Sequence, residues 1–276
     1  MGLVLLPCAL FDELAMTMLP NKSILLALLI SALTAACASG PTYNPTVFAY
    51  EIETERLAES PIRTVVIPHV NLGSPSRNYL TEAAPRVDAR LTSYLKENGY
   101  NVLPQRLFRQ YWNTAVRAYG DPVDPTTGRV NMKTFSQIMQ SVRDRFTEGG
   151  QLDAFVFTDL VELDVPFNGG LKHIGRWDGV SRRPSLQGPG SGVSTDFDWG
   201  MTAAVASVQV TIFDMDLKRL FVSRGGLDAT EAIDTRSSTG RYIRRRNILE
   251  NDTHIDEGVA LAMHPLIEMK NYPGNP

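Results

Sequence analysis

Between Arg63 and Pro104 the hydrophobic period changes twice, and this restricts the fold more than any other feature of the chain. Arg63-Thr64-Val65-Val66-Ile67-Pro68 is a short continuous apolar run stopped by proline, the pattern of a strand buried on both faces. Leu80, Ala84, Val87, Leu91, Tyr94 and Leu95 then recur at three- and four-residue steps, forming one helical stripe. Pro85 falls in the first turn of that helix, where a missing N–H costs little, and Asn98-Gly99 closes it. Tyr100-Asn101-Val102-Leu103-Pro104 reads as a second short strand. Strand, crossover helix and strand make a βαβ unit, so the two strands are expected to be parallel.

Downstream, residues 105–118 predict a helix through Leu107, Tyr111 and Val116, followed by the turn-rich Asp121-Pro122-Val123-Asp124-Pro125. Phe135, Ile138, Met139, Val142 and Phe146 mark another amphipathic helix, closed by Gly149-Gly150. Ala154-Phe155-Val156-Phe157 opens a third buried strand that shifts to alternation from Leu160 to Val165. Val208, Val210 and Ile212 alternate with Ser207, Gln209 and Thr211 as a one-sided strand. Asp214 to Lys218 turns the chain, and Leu220-Phe221-Val222-Ser223 returns as a hairpin. A last helix is expected to start at Thr253, with Asp256 as a capping-box variant and a kink at Pro265. Its inner face is Val259, Met263, Leu266 and Ile267. The expected fold class is therefore α/β, in its α+β variant: a mixed β-sheet with helices packed on it, in the order β-α-β-α-α-β-loop-β-β-α.

The N-terminal segment reads as an address. Lys22 precedes the apolar run Ile24 to Leu33, and the small residues Thr34-Ala35-Ala36 lead to Cys37. A cationic flank, a short apolar core and small residues at the end describe a secretory signal. Residues 1–36 are assigned to it. Asp12 and Glu13 sit where positive charge is expected, so residues 1–15 read as a gene-start artefact, with Met16 or Met18 as initiator. Leu33-Thr34-Ala35-Ala36-Cys37 resembles the bacterial lipobox, although Thr34 stands where that pattern carries leucine. The resemblance implies a diacylglyceryl group on Cys37, which would also remove a reactive thiol. Ala38 in place of aspartate after the cysteine implies the outer membrane, with the protein on its periplasmic face. Residues 37–60 are expected to be a lipidated N-terminus and flexible tether, reaching roughly 75 Å when extended. Residues 61–276 are expected to form a single periplasmic domain with a long loop at 166–200.

Composition excludes several classes. A formal charge of −3 gives no global attraction to a polyanion, so no nucleic-acid partner is expected. Two cysteines make neither a disulfide scaffold nor a four-thiolate zinc site. The four histidines form no HExxH motif, and the glycine-rich Gly188 to Gly192 lacks the lysine of a phosphate loop. No cofactor or metal is expected. Glu162 and Asp164 share a strand face, which leaves a periplasmic hydrolase as one alternative. His69 follows the first domain strand, where α/β folds often place ligands, but a structural role is expected for it.

The element order, the opening Val65-Val66-Ile67-Pro68, the helix closing at Asn98-Gly99-Tyr100, the hairpin around Asp214 to Leu220 and the last helix resemble a group of envelope lipoproteins. That group has a TolB amino-terminal-like domain and includes the curli secretion lipoprotein and the lipoprotein activators of penicillin-binding proteins. The resemblance implies a non-catalytic protein that binds or scaffolds another envelope protein or cell-wall component, and otherwise a subunit of an export assembly. Candidate partner-binding residues lie in the 166–200 loop: Phe167, Arg176, Trp177, Arg182, Arg183, Phe197 and Trp199, residue types enriched at interface hot spots. A second candidate is the basic patch Arg241, Arg244, Arg245 and Arg246. The competing readings are aromatics tucked back onto the sheet and a solvated basic loop.

Overall fold

The computed structural model of the chain describes residues 49–68, 78–150, 152–190, 192–238 and 240–269. It opens with β1 (Tyr50–Ile52), α1 (Thr54–Glu59), β2 (Thr64–Val66), α2 (Asn78–Thr81), α3 (Ala84–Glu97) and β3 (Asn101–Leu103). Next come α4 (Gln105–Tyr119), α5 (Met132–Gly149) and β4 (Ala154–Pro166). The short strands β5 (Gly175–Trp177), β6 (Val180–Arg182) and β7 (Ser185–Gln187) follow. The chain continues with β8 (Thr202–Asp214), β9 (Arg219–Ala229), β10 (Glu231–Asp234), β11 (Tyr242–Arg244) and α6 (Asp252–Met263).

Six strands form a mixed sheet in the order β1-β9-β8-β4-β2-β3. The expected βαβ unit is present: β2 and β3 are parallel, with Val65 opposite Val102, and β4 is parallel to β2 on its other side. The β4–β8 ladder is antiparallel along all 13 residues of β4. Successive strand residues point to opposite faces, and the core divides accordingly. Val65 and Val156 pack with Leu91 and Leu95 of α3 and with Val259 and Met263 of α6. Their neighbours Val66 and Phe155 pack on the other face with Phe108 of α4 and Ile138, Val142 and Phe146 of α5. The mixed sheet with helices on it is thus the one read from the sequence.

Four local expectations are corrected. The tether does not extend to residue 60, because Tyr50–Ile52 pairs with the edge of β9, Tyr50 opposite Ser223. Arg56 of α1 fastens this segment to Asp214 at 2.6 Å. β8 is not one-sided along its length: Ala203 to Val208 are buried on both faces. The second face is covered by the β5–β6 hairpin, and the buried Ser207 hydroxyl donates to Asp178 at 2.6 Å. α6 is capped by Asn251, not Thr253; its side-chain oxygen accepts from the backbone N–H of Thr253 and His254 at 3.1 and 3.3 Å. Pro265 ends α6 instead of kinking it, since the preceding residue is driven out of the helical region and His264 has ψ 139°.

The cap yields a direct expectation. Asn251→Ala should lower stability by about 1 kcal/mol, whereas Thr253→Ala should change it by less than about 0.5 kcal/mol. Urea unfolding of both variants checks this, and equal losses would return the cap to Thr253.

Candidate functional site

The segment 166–200 is built into the domain. It holds a 3-10 turn at Gly170–Lys172 and strands β5, β6 and β7. Asp178 and Gly179 link β5 to β6 with φ of 37° and 83°, the left-handed pair that a two-residue hairpin turn requires. Besides the Ser207–Asp178 bond, three more hydrogen bonds tie the hairpin to β8 and β9. Trp177 Nε1 donates to the Ala206 carbonyl at 3.2 Å, Arg182 Nε to that of Leu227 at 3.1 Å, and the Gly226 N–H to that of Asp178 at 2.9 Å.

This overturns the docking role of three candidates. Phe167, Trp177 and Phe197 are buried, at 0%, 2% and 5% exposure. Phe167 and Trp177 sit in a third core cluster with Val165, Val180, Val205 and Leu261. The rings continue as a chain of contacts from Trp177 through Phe167, Tyr242 and Phe197 to Trp199, whose half-buried indole stacks flat on His173. Burial lifts the Tyr242 phenol to about 12, with the nearby Glu231 carboxylate adding to the effect. Arg182 is a strap, pairing with Glu257 of α6 at 2.7 Å. Arg176 and Arg183 are exposed.

The basic segment is largely committed to internal partners as well. Arg244 pairs with Glu162 at 2.7 Å, donates to Thr230 at 3.1 Å and lies 3.9 Å above the Tyr79 ring. The Tyr79 hydroxyl also donates to Glu162. Burial opposes ionisation of Glu162, but the hydrogen bonds from Tyr79, Arg244 and Thr230 outweigh it and hold the carboxyl below its usual range. Burial, with the adjacent carboxylate, raises Tyr79 to about 12. Arg245 pairs with the buried Asp228 at 2.8 Å, and Arg241 approaches Asp234 at 3.7 Å. Arg246 is exposed. Asp164 is exposed, while Glu162 is occupied by Tyr79, Thr230 and Arg244. Cys37 and His69 lie outside the described residues.

A concave feature lies elsewhere. The chain leaves β2 for α3 on one face of the sheet and leaves β3 for α4 on the other. Adjacent parallel strands whose connections diverge open a crevice at their carboxyl ends, where open α/β sheets bind ligands. A cavity of about 440 Å³ opens here and continues down the groove beside α3, its lining running from Pro85 in the first turn of that helix to Lys96 in the last. Its apolar floor and walls include Ile67, Val102, Leu103, Pro85 and Pro104. Its polar lining is Asp88, Thr92 and Lys96 of α3, with Gln105 and Arg109 of α4. Asp88 accepts from Thr158 Oγ1 at 2.7 Å, while Lys96 and Arg109 are exposed at the rim. These residues were missed in the sequence, although the four-residue spacings Asp88-Thr92-Lys96 and Gln105-Arg109 place each set on one helix face. No helix among the described residues is long and apolar enough to cross a membrane. In comparisons with known proteins, no family model, curated protein or solved structure matches the chain.

Proposed function

We infer that the protein is a lipid-anchored envelope lipoprotein whose α/β domain works by binding rather than by catalysis. The observation that carries this is the N-terminal pattern: Lys22, the apolar run to Leu33, then Thr34-Ala35-Ala36 and Cys37. Three acyl chains on such a cysteine, as the resembled lipoproteins carry, hold far more firmly than one chain, at about 0.8 kcal/mol per buried methylene. Ala38 supports the outer membrane as destination and the periplasmic face as orientation. The element order supports kinship with the TolB amino-terminal-like lipoproteins, and with it a role in binding or scaffolding another envelope protein or a cell-wall component.

A chain length and a structural fact bear on this reading. The dozen residues from Cys37 to Ala49 reach about 40 Å at full extension. The anchor therefore keeps the domain, and whatever it binds, near the membrane. Glu162, the carboxylate on which a hydrolase reading depends, accepts hydrogen bonds from Tyr79, Thr230 and Arg244, a structural engagement.

Cys37→Ser should move the protein from the membrane fraction to the soluble periplasm. Mass spectrometry of the wild-type mature chain should find an acylated N-terminal cysteine. A bare Cys37, or a serine variant that stays with the membrane, defeats the anchor.

A further inference from the structure

We propose that the crevice at the carboxyl ends of β2 and β3 is a binding site for a small organic anion, with its apolar body inside and its charged group at the rim. This site deepens the reading of the domain as a binding module and does not depend on the lipid anchor. Three independent features of the molecule converge on it.

The first is topology. β2 and β3 are hydrogen-bonded neighbours, yet their following helices pack on opposite faces of the sheet, so neither α3 nor α4 fills the space between their ends. The second is size and lining. A cavity of about 440 Å³ lies within the range that takes small ligands, and Ile67, Val102, Leu103, Pro85 and Pro104 offer it an apolar surface. The third is charge. Lys96 and Arg109 come from different helices to the same cavity and are exposed there, and no ion pair is formed by either among the described residues. Asp88, the acid in the lining, is 7% exposed and accepts from Thr158, so it is turned into the protein while the cations face the opening. An opening that carries two cations over an apolar interior suits an anion with an apolar body. It suits a cation or a long neutral chain poorly.

The test uses the full chain carrying Cys37→Ser, so that no acyl group contributes to binding. The methyl groups of Ile67, Val102 and Leu103 are labelled for NMR. The chain is titrated with 1-naphthyl phosphate, with 1-naphthoate and with neutral 1-naphthol. At least one of the two anions should shift these methyl signals saturably, leaving those of Val165 and Leu261 in place. Comparison of the two then tells a phosphate from a carboxylate ligand. Removing both rim cations with Lys96→Gln and Arg109→Gln should weaken that anion by about tenfold or more while naphthol changes less than about twofold. Both substitutions are at exposed positions and leave the core intact. Ala89→Trp, which fills the crevice from the exposed side of α3, should abolish the response. The proposal is overturned if neither anion shifts the crevice methyls. It is also overturned if naphthol binds as tightly as the anions, or if the double variant binds with unchanged affinity. None of these results bears on Cys37, so failure of the crevice and failure of the anchor are read separately.

Discussion

Gly225→Ala is expected to lower stability by roughly 3 kcal/mol or more, with a fall in Tm of about 6–12 °C. β9 carries the pair Gly225-Gly226 in mid-strand, where glycine ordinarily weakens a strand. The reason is close approach. A Cβ on Gly225 would lie 1.8 Å from the carbonyl oxygen of Gly258 in α6, 2.7 Å from its carbon and 2.8 Å from the backbone nitrogen of Ala262. All three are backbone atoms, so no rotamer relieves the clash and the helix itself must lift. Ile255, Val259 and Met263 would rise with it out of the core they close against Val208 and Val210. On its other side β9 is pressed by the β5–β6 hairpin, since a Cβ on Gly226 would meet Val180 at 2.3 Å and the Trp177 carbonyl at 2.8 Å. Gly192→Ala, with nothing within 4 Å of the added carbon, is the matched control and should stay within about 0.5 kcal/mol of wild type. Thermal unfolding of the two variants decides the matter. A Gly225→Ala protein as stable as the control would mean that α6 does not seat on β9.

That contact illustrates which parts of the fold can be read along the chain. Val65-Val66 and Ala154-Phe155-Val156 announce strands buried on both faces, and the stripe from Leu80 to Leu95 announces a helix, because each pattern is local and periodic. β1 left no such trace, since three residues cannot show alternation and their pairing is set by the free edge of β9. The double burial of Ala203 to Val208 comes from a covering hairpin distant in sequence, so alternation alone predicts a half-exposed strand. The aromatic and arginine content of 166–200 leaves a docking surface and rings tucked onto the sheet equally open, because large rings serve a small core and an interface equally well. Composition does not say which way a ring faces. Position could have: Asp178-Gly179 is a hairpin signal, and it would have turned the loop into ordered strands with Trp177 directed inward. The crevice was hidden for a different reason. Lys96 and Arg109 acquire a common meaning only after α3 and α4 are known to leave the sheet on opposite faces.

Arg245→Met should destabilise the protein by about 3–5 kcal/mol, whereas Arg246→Met, one residue on, should change stability by less than about 0.5 kcal/mol. The two arginines are adjacent in a run that looks uniform in sequence, but their surroundings differ. Arg245 Nη1 lies 2.8 Å from Asp228 Oδ2 and also donates to the Ala229 carbonyl at 2.8 Å, and its side chain is 19% exposed. Asp228 is 5% exposed. Its second oxygen accepts the Ala229 N–H at 2.8 Å, and His254 Nδ1 lies 3.3 Å from the first. Methionine retains much of the bulk of the arginine stem but leaves a carboxylate in the interior without its guanidinium, which is the costly way to break a buried pair. Arg246 is exposed, and among the described residues its contact is made by the backbone N–H, which donates to Gln187 and which methionine preserves. Replacing both members of the pair, Asp228→Leu with Arg245→Met, should recover part of the loss, because the uncompensated charge is gone. Urea unfolding of the three variants beside wild type gives the ranking. A docking surface would demand no such ranking: stability would be indifferent to both arginines and partner binding dependent on both. If Arg245→Met unfolds at the wild-type urea concentration, the buried pair does not hold β9 to the segment after β11, and the basic run becomes available to a partner.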